Sequence, residues 1–513
     1  MTIFSVLATL ISSLFLLVLP GVNGYTISEI RSWCSQTPHP ESCEYVLAGK
    51  PNVGPMKQKP DFINALLSAA LDGAVHAETN TQSLGGKCRN KLEKAAWQDC
   101  LELYASTVHR INMTVDPQKK CSQVEMQTWL STALTNLETC KNGFEEVRGG
   151  EYILPLMNNN LSALISNTLA MNKGGSLPLH EPSYQKGFPT WIKPGDRKLL
   201  QSSDPASMAN SVVAQDGSGN YGTIGDAIAA AKSGSGRYVI YVKAGTYNEH
   251  VQIKSNKIML VGDGIGKTII TGSKSVGGGS TSFSSATFGI EGDGFMGRGI
   301  TIRNTAGPQN EQAVALRSAS DQSVFYQCSF EGFQDTLYVL SNRQFYKECD
   351  VYGTVDMIFG NAAVVFQNCN IYARNAPHKI NTLTAQGRTD PNQNTGISIH
   401  NCRVSGASSL SGVKTYLGRP WKQYSRTVYL KTYLDSIVNP AGWLPWSGNF
   451  ALNTLYYGEY MNTGPGSSTN NRVNWKGYHV ITSVTEASKF DVGNFISGGS
   501  WLPATGVPFD AGL

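Results

Sequence analysis

The sequence lacks several signatures of common enzyme sites. No two of its ten cysteines are spaced as CxxC, no GxSxG motif occurs, and no acidic cluster suits calcium. These absences argue against a structural zinc site, a serine-hydrolase elbow and a calcium site, and we expect no cofactor. Charged residues are scarce at 15%, and a net charge of +5 over 513 residues does not suggest nucleic acid binding.

Long apolar runs are also missing, with one exception at the N-terminus. Residues 1–24 carry the run IFSVLATLISSLFLLVLP followed by small residues, which predicts a secretory signal peptide; an uncleaved membrane anchor is the alternative. The even number of cysteines and the sequons at Asn112 and Asn160 fit secretion. We therefore expect a secreted, extracellular protein without membrane contact after cleavage.

Residues 25–172 show helical periodicity. Apolar residues between Phe62 and Val75 recur at i, i+3, i+4 and i+7, and two further stretches repeat this pattern. We predict an all-α four-helix bundle over this region. The expected disulfides are Cys34–Cys43 and Cys100–Cys140.

A linker is predicted over residues 173–207. This stretch is rich in Gly, Pro and Ser and has no periodicity. Its segment RKLL, residues 197–200, places two basic side chains in exposed chain, where proteases cut readily. We expect processing near Leu200, which would separate two domains.

Residues 208–513 consist of short β-rich runs that alternate with Gly and Asn turns. Four runs contain the cysteines Cys328, Cys349, Cys369 and Cys402, with two nearly equal steps followed by a longer one. A period of about 20 positions predicts a right-handed parallel β-helix, with a loop in the longest step; an antiparallel sandwich is the alternative. Adjacent coils lie about 4.8 Å apart, which permits either a Cys349–Cys369 or a Cys328–Cys349 disulfide.

Two acids follow the same period. Asp335 and Asp356 are separated by one such period, so one coil would place them side by side. Adjacent carboxylates do not ionise alike, which can supply a proton donor and a nucleophile. Gln312 and Gln334 are also about one coil apart, so they would lie beside the acids on the same face of the β-helix. Their side-chain amides can donate hydrogen bonds to a developing oxyanion. Taken alone, any one of these residues could instead cap a turn or form part of a ladder of side-chain amides. Two acids and two amides together favour a catalytic site.

Further candidates come from the segment YLGRPW. Arg419 can hold a carboxylate through two hydrogen bonds, and the flat face of Trp421 can lie against a sugar ring. Other aromatic residues are expected to line the same cleft. They are Phe283, Tyr338, Phe359, Trp443 and Trp446.

Five ordered segments resemble the signature segments of plant pectin methylesterases, also called pectinesterases. The segments are GTYNE (245–249), QAVAL (312–316), QDTLY (334–338), DMIFGN (356–361) and LGRPW (417–421). The helical half resembles the inhibitor-like pro-region that precedes the catalytic domain in many plant members, and RKLL resembles its processing site. The resemblance implies a carboxylic ester hydrolase that converts methylated homogalacturonan to pectate and methanol in the plant cell wall, with a pro-region that inhibits it until cleavage.

The resemblance also implies residue roles. Asp356 would be the nucleophile, and Asp335 would protonate departing methanol and then activate water. Gln334, helped by Gln312, would stabilise the oxyanion, and Arg419 would hold Asp356 in place. The implied substrate-binding residues are Ser282, Gln312, Arg419 and Trp421.

The sequence departs from the family pattern at two positions. Ser282 stands where the family has threonine before a phenylalanine, and Met357 stands where it most often has phenylalanine. We expect Met357 to alter packing near Asp356 without changing the chemistry. The resemblance favours Cys349–Cys369 over Cys328–Cys349 as the disulfide.

Two alternative functions are weighed against the esterase. A β-helix glycoside hydrolase of the polygalacturonase type could use carboxylates about 5 Å apart, but the two glutamines suit an ester oxyanion better. A non-catalytic pectin-binding or inhibitor protein would not need both acids and Arg419. We expect a monomer that acts on pectin, with a processing protease and a separate inhibitor protein as partners.

Overall fold

The computed structural model describes residues 27–49, 56–116, 118, 121–157, 160–173, 184–185, 188–189, 207, 209–231 and 236–513. The predicted signal peptide and the RKLL segment lie outside these residues. Across the described part of the chain, none of the helices combines the length and apolar character needed to cross a membrane.

The N-terminal region is helical, as predicted. Its helices are α1 (Ile27–Cys34), α2 (Pro40–Ala48), α3 (Lys59–Ser83), α4 (Lys91–Val115), α5 (Gln123–Glu146), α6 (Gly150–Met157) and α7 (Leu161–Asn172). Helices α3 and α5 each pack against both α4 and α7, so these four form a closed bundle and the others are short additions. At the start of α5, Ser122 and Glu125 form a capping box. The predicted disulfides Cys34–Cys43 and Cys100–Cys140 are both present.

The C-terminal region is a parallel β-helix, also as predicted, built from three sheets. The first sheet contains β3 (Ser211–Val213), β4 (Tyr238–Val242), β7 (Ile258–Gly262), β10 (Met296–Arg298), β13 (Ser323–Tyr326), β16 (Arg343–Lys347), β19 (Ala363–Gln367), β23 (Gly396–His400), β26 (Arg426–Leu430), β28 (Tyr456–Tyr460) and β29 (Tyr478–Val480). The second contains β5 (Gly245–Asn248), β8 (Thr268–Gly272), β11 (Thr301–Asn304), β14 (Ser329–Glu331), β17 (Asp350–Gly353), β20 (Asn370–Ala373), β24 (Arg403–Gly406) and β27 (Tyr433–Leu434). The third contains β6 (Val251–Ile253), β9 (Phe288–Ile290), β12 (Leu316–Ser318), β15 (Leu337–Val339), β18 (Ile358–Gly360) and β22 (Thr384–Gln386).

Smaller elements complete the described fold. Strands β21 (Ile380–Thr382) and β25 (Lys414–Tyr416) pair in parallel beside the third sheet, and β1 (Tyr184–Gln185) pairs antiparallel with β2 (Phe188–Pro189). Further helices are Ile224–Ala230, Val484–Ser488 and Val492–Phe495.

Stacked aromatic rings fill the interior and show the coil length. Phe325 stacks on Tyr346 with ring centroids 4.7 Å apart, and Tyr346 stacks on Phe366 at 4.5 Å. The strand register pairs the same residues, so these coils have the length that the cysteine spacing predicts. Tyr346, and not its neighbour Phe345, occupies the interior place equivalent to Phe325 and Phe366.

The expected Cys349–Cys369 disulfide is wrong for this structure. Cys328, Cys349, Cys369 and Cys402 are all buried free thiols. The backbone N–H of Cys349 donates to Sγ of Cys369 at 3.3 Å, and that of Cys369 donates to Sγ of Cys402 at 3.3 Å. Because the sulfurs occupy equivalent interior positions in successive coils, the stacking does not single out one pair.

Candidate active site

Two aspartates lie next to each other at the start of the third sheet. Leu337 of β15 pairs with Ile358 of β18, which places Asp335 and Asp356 in register in adjacent coils, as predicted. Both residues have left-handed backbone conformations, with φ of 60° and 49°. Aspartate tolerates this conformation better than most residues. Both are buried, and both line one cavity of about 290 Å³.

Three hydrogen bonds fix the carboxylate of Asp356. Arg419 donates from Nε to Oδ1 at 2.8 Å and from Nη2 to Oδ2 at 2.7 Å. The Thr382 hydroxyl donates to Oδ1 at 2.7 Å and accepts the backbone N–H of Asp356 at 2.8 Å. This geometry suits an ionised carboxylate in a fixed orientation.

Asp335 has a different environment. Burial raises its pKa well above the ordinary value, and the negative charges of Asp356 and Glu146 raise it further against the opposing effect of Arg419. Asp335 therefore keeps its proton to a higher pH than an exposed aspartate does. The pair thus consists of one carboxyl group suited to donate a proton and one suited to act as an anion.

The two glutamines lie at the same cavity, in register in adjacent coils. The backbone N–H of Ala313 donates to the carbonyl of Gln334 at 3.2 Å, which is the parallel-ladder bond expected when Gln312 lies opposite Gln334. Both residues line the cavity. Within the described residues, neither amide donates a hydrogen bond to protein, which leaves both donors available to a ligand.

Aromatic side chains form much of the remaining cavity wall. Phe283, Tyr338, Phe359, Trp421 and Trp446 line it, as predicted. Tyr338 stacks on Phe359 with centroids 4.1 Å apart, and the guanidinium of Arg419 lies 4.4 Å from the ring centroid of Trp446. These faces can pack against sugar rings.

Trp443 does not line the cavity, so its assignment to the cleft is wrong. Its side chain is 1% exposed and stacks on Tyr457 with centroids 4.1 Å apart. Its indole N–H donates to Glu459 at 3.3 Å. Tyr457 and Glu459 are themselves buried in the β-helix, and they hold the indole there.

Met357 also faces inward. It is fully buried in the β-helix core beside Gly353, whereas Asp356 faces the cavity. Successive residues at the start of a strand point in opposite directions, which separates the packing at Met357 from the carboxylate.

Helix α5 of the helical half covers this cavity. Thr139, Asn142, Gly143, Glu145 and Glu146 line it from the opposite side. The backbone N–H of Ser282 donates to Glu146 Oε2 at 2.9 Å. Lys422 donates to Glu138 at 2.5 Å and to Asn142 at 2.8 Å. Sequence patterns did not indicate these contacts, because their partners belong to different halves of the chain and share no repeat.

The contact between the two halves extends beyond the cavity. Arg110 of α4 forms a bidentate pair with Asp293, with the shorter distance 2.6 Å. The indole N–H of Trp129 donates to Asp321 at 3.0 Å, and Ser166 donates to Asp390 at 2.5 Å. Buried polar partners of this kind make the contact specific, because separating them in place would leave unpaired groups.

The contact contains a carboxyl group that should respond to pH. Asp99 of α4 accepts a hydrogen bond from the Thr281 hydroxyl, and burial raises its pKa to about 7. Arg317 opposes this rise, while Glu102 and Glu146 add to it.

We expect the uncleaved chain to lose stability as pH rises from about 4 to about 7, because folded Asp99 binds its proton more tightly than the unfolded residue does. This group contributes at most about 4 kcal/mol over that range. Asp99→Asn should flatten the pH dependence of the thermal unfolding midpoint. The exposed-site control Asp72→Asn should not, and equal slopes for the two variants would contradict the prediction.

Comparisons with known proteins identify the class to which this β-helix and its site belong. The pectinesterase family model matches residues 210–499, and the plant invertase/pectin methylesterase inhibitor family model matches residues 28–171. The chain is 65% identical to Pectinesterase 2 of Citrus sinensis over 495 residues, covering 96% of each chain. It is 61% identical over 505 residues to Probable pectinesterase/pectinesterase inhibitor 17 of Arabidopsis thaliana, covering 98% of each.

Solved structures agree. Pectin methylesterase from carrot matches with a TM-score of 0.60 and 56% identity, over 61% of this chain and 100% of that chain. Pectin methylesterase from Aspergillus niger matches with a TM-score of 0.51 and 33% identity, over 59% of this chain and 98% of that chain. The chain belongs to the pectinesterase family and carries an inhibitor-like helical domain. It is a carboxylic ester hydrolase that de-esterifies pectin, and the glycosidase and non-catalytic alternatives are not favoured.

Proposed function

We propose that Asp356 and Asp335 carry out this de-esterification as a nucleophile and an acid–base pair. Asp356 attacks the carbonyl carbon of a methylated galacturonate, and the amides of Gln334 and Gln312 hydrogen-bond the tetrahedral oxyanion. Asp335 transfers its proton to the departing methoxide, which leaves methanol and an acyl-enzyme anhydride. Asp335 then takes a proton from water, which attacks the anhydride and releases the free acid and Asp356.

The observation that best supports this assignment is the contrast between the two acids. Arg419 and Thr382 hold Asp356 through hydrogen bonds that suit an anion, while the raised pKa of Asp335 suits a proton donor. Arg419, Trp421 and Ser282 contact the substrate in this proposal. In the closed arrangement the N–H of Ser282 is occupied by Glu146.

We also propose that the helical half keeps the site closed during secretion to the cell wall, until a protease cuts near Leu200. Five side chains or backbone positions of α5 lie over the cavity, where they occupy space that a pectin chain would need. The enzyme then acts as a monomer on methylated homogalacturonan. A separate inhibitor protein could occupy the same surface after removal of the helical half.

Product analysis tests the reaction. Residues 201–513 should release methanol from highly methylated pectin without new reducing ends, which a glycosidase would generate, and without unsaturated products, which a lyase would generate. Absence of methanol would contradict the proposal.

Thr382 should act as a positioning residue for Asp356. Thr382→Val removes one of three hydrogen bonds to the carboxylate, and we expect kcat for methanol release to fall about tenfold with KM unchanged. Thr384→Val is the matched control, because the Thr384 hydroxyl donates to the carbonyl of Leu417 instead. Thr382→Ser should keep the rate of the unaltered enzyme, and equal losses in Thr382→Val and Thr384→Val would contradict a positioning role.

A further inference from the structure

A second cavity, here called the basic cavity, lies where the start of α5, the end of α7 and the β-helix meet. It has a volume of about 720 Å³, opens to solvent and shares no lining residue with the catalytic cavity. Four side chains in its lining are cationic: Lys173, Arg388, Arg426 and Lys489. None of the described lining residues is acidic.

The two arginines lack carboxylate partners among the described residues. Arg388 donates from Nε to the carbonyl of Gln393 at 2.9 Å, and Arg426 donates from Nε to the carbonyl of Thr395 at 2.7 Å. Asp390 acts on Arg388 only at longer range, and its carboxylate accepts hydrogen bonds from Ser166 and from the backbone N–H of Asn392.

The electrostatics of these arginines favour an anion. Burial lowers the pKa of Arg388 to about 10, and burial together with the charge of Arg388 lowers the pKa of Arg426. Two partly desolvated like charges are unfavourable unless a counter-charge approaches them. A carboxylate between the two guanidinium groups would relieve this repulsion and accept charge-assisted hydrogen bonds.

The rest of the lining suits a sugar. It contains amide and hydroxyl side chains, including Gln123, Asn494 and Ser488. Its aromatic member is Phe495, whose ring centroid lies 5.4 Å from the Arg426 guanidinium. Amides can hydrogen-bond sugar hydroxyls, and an aromatic face can pack against a pyranose ring. A small inorganic anion would use only the cations.

We propose that the basic cavity binds carboxylates of de-esterified galacturonan. Arg388 lies just beyond β22, whose neighbour β18 begins just after Asp356. Six residue steps separate Thr382, the hydrogen-bond partner of Asp356, from Arg388, so this chain segment spans at most about 20 Å. The ligand class rests on the proposed function, but the cation cluster does not. Three of the four cations, Arg388, Arg426 and Lys489, belong to the C-terminal region and are retained when the helical half is removed.

Calorimetric titration of the full chain tests this binding with three probes: a de-esterified oligogalacturonate, its methyl-esterified counterpart of equal length, and inorganic phosphate. The de-esterified oligomer should bind at least about tenfold more tightly than the ester, and its affinity should fall with added salt. Equal affinity for the two oligomers would overturn the proposal. Displacement of the oligomer by an equal concentration of phosphate would also overturn it, by showing an anion site without sugar recognition.

Variants locate the site. Arg426→Gln should weaken binding of the de-esterified oligomer about tenfold or more, and Lys489→Gln about threefold. Lys489 is exposed and directly follows the short helix Val484–Ser488, where it pairs with Glu486, so this variant should fold even if Arg426→Gln does not. Lys267→Gln, at an exposed position several coils away, is the control. The proposal would be overturned if Lys489→Gln and a folded Arg426→Gln both bound the de-esterified oligomer with unchanged affinity. It would also be overturned if only Trp421→Ala lost binding.

Methanol release separates this inference from the proposed function. Cleaved Lys489→Gln should keep the rate of the unaltered enzyme on short methylated oligomers, because Lys489 does not line the catalytic cavity. If the unaltered enzyme released methanol normally but did not bind the oligogalacturonate, only the proposal that the basic cavity binds de-esterified galacturonan would be overturned. Binding without methanol release in the unaltered enzyme would overturn the catalytic proposal alone.

Discussion

Asp356→Asn is expected to lower kcat for methanol release by at least about 10⁴-fold in the enzyme freed of its helical half. The amide has almost no nucleophilicity, and it leaves the guanidinium of Arg419 without its counter-charge. A loss of this size corresponds to about 5.5 kcal/mol of transition-state stabilisation. The assay is initial-rate methanol release from highly methylated pectin, with the substrate concentration varied so that kcat and KM are obtained separately.

Asp350→Asn is the matched control for this substitution. Asp350 lies in the same coil as Asp356, but its carboxylate accepts a hydrogen bond from Asn370 and does not line the cavity. We expect its rate to stay within about threefold of the unaltered enzyme. A similar fall in both variants would indicate a loss of fold rather than of the nucleophile, and full activity in Asp356→Asn would refute the mechanism.

The repeat in the sequence was sufficient to bring the two acids together. Residues at equal positions in successive coils of a parallel β-helix are one inter-strand spacing apart, so a separation of one coil length in sequence becomes a contact in space. The same reasoning was also correct for Gln312 and Gln334, although their separation of 22 residues becomes 21 between the paired residues Leu316 and Leu337. Loops and corners of unequal length shift the register locally, and the cysteine template does not record those shifts.

The direction in which a side chain points was harder to predict from the sequence than the place of its residue in the coil. Trp443 lies close in sequence to Trp446, which lines the cleft, but its indole points into the core. There it stacks on Tyr457 and donates a hydrogen bond to Glu459. Thr382 was not indicated by any motif. An intervening loop makes the step from Asp356 to Thr382 longer than the step between the two acids, so the simple repeat misses this hydrogen-bond partner.

Removing the helical half is expected to raise kcat/KM on methylated pectin by at least about a hundredfold. Helix α5 occupies one side of the catalytic cavity, where Glu146 accepts a hydrogen bond from the backbone N–H of Ser282, and Glu138 of the same helix binds Lys422. Because the two halves belong to one chain, their effective concentration favours the closed state even if the contact itself is moderate. Pectin must therefore compete with an intramolecular ligand in the uncleaved form.

The direct measurement compares residues 25–513 with residues 201–513 at equal concentration. Arg110→Gln offers a finer test, because it removes the bidentate pair with Asp293 from the helical half without altering the β-helix. It should raise the activity of the uncleaved chain about tenfold and leave the cleaved enzyme unchanged. Lys141→Gln on the exposed side of α5 is the control and should have no effect on either form. Equal activity of the uncleaved and cleaved enzymes would show that the helical half does not restrict access, and the contacts at Glu146 would then have to serve folding or secretion.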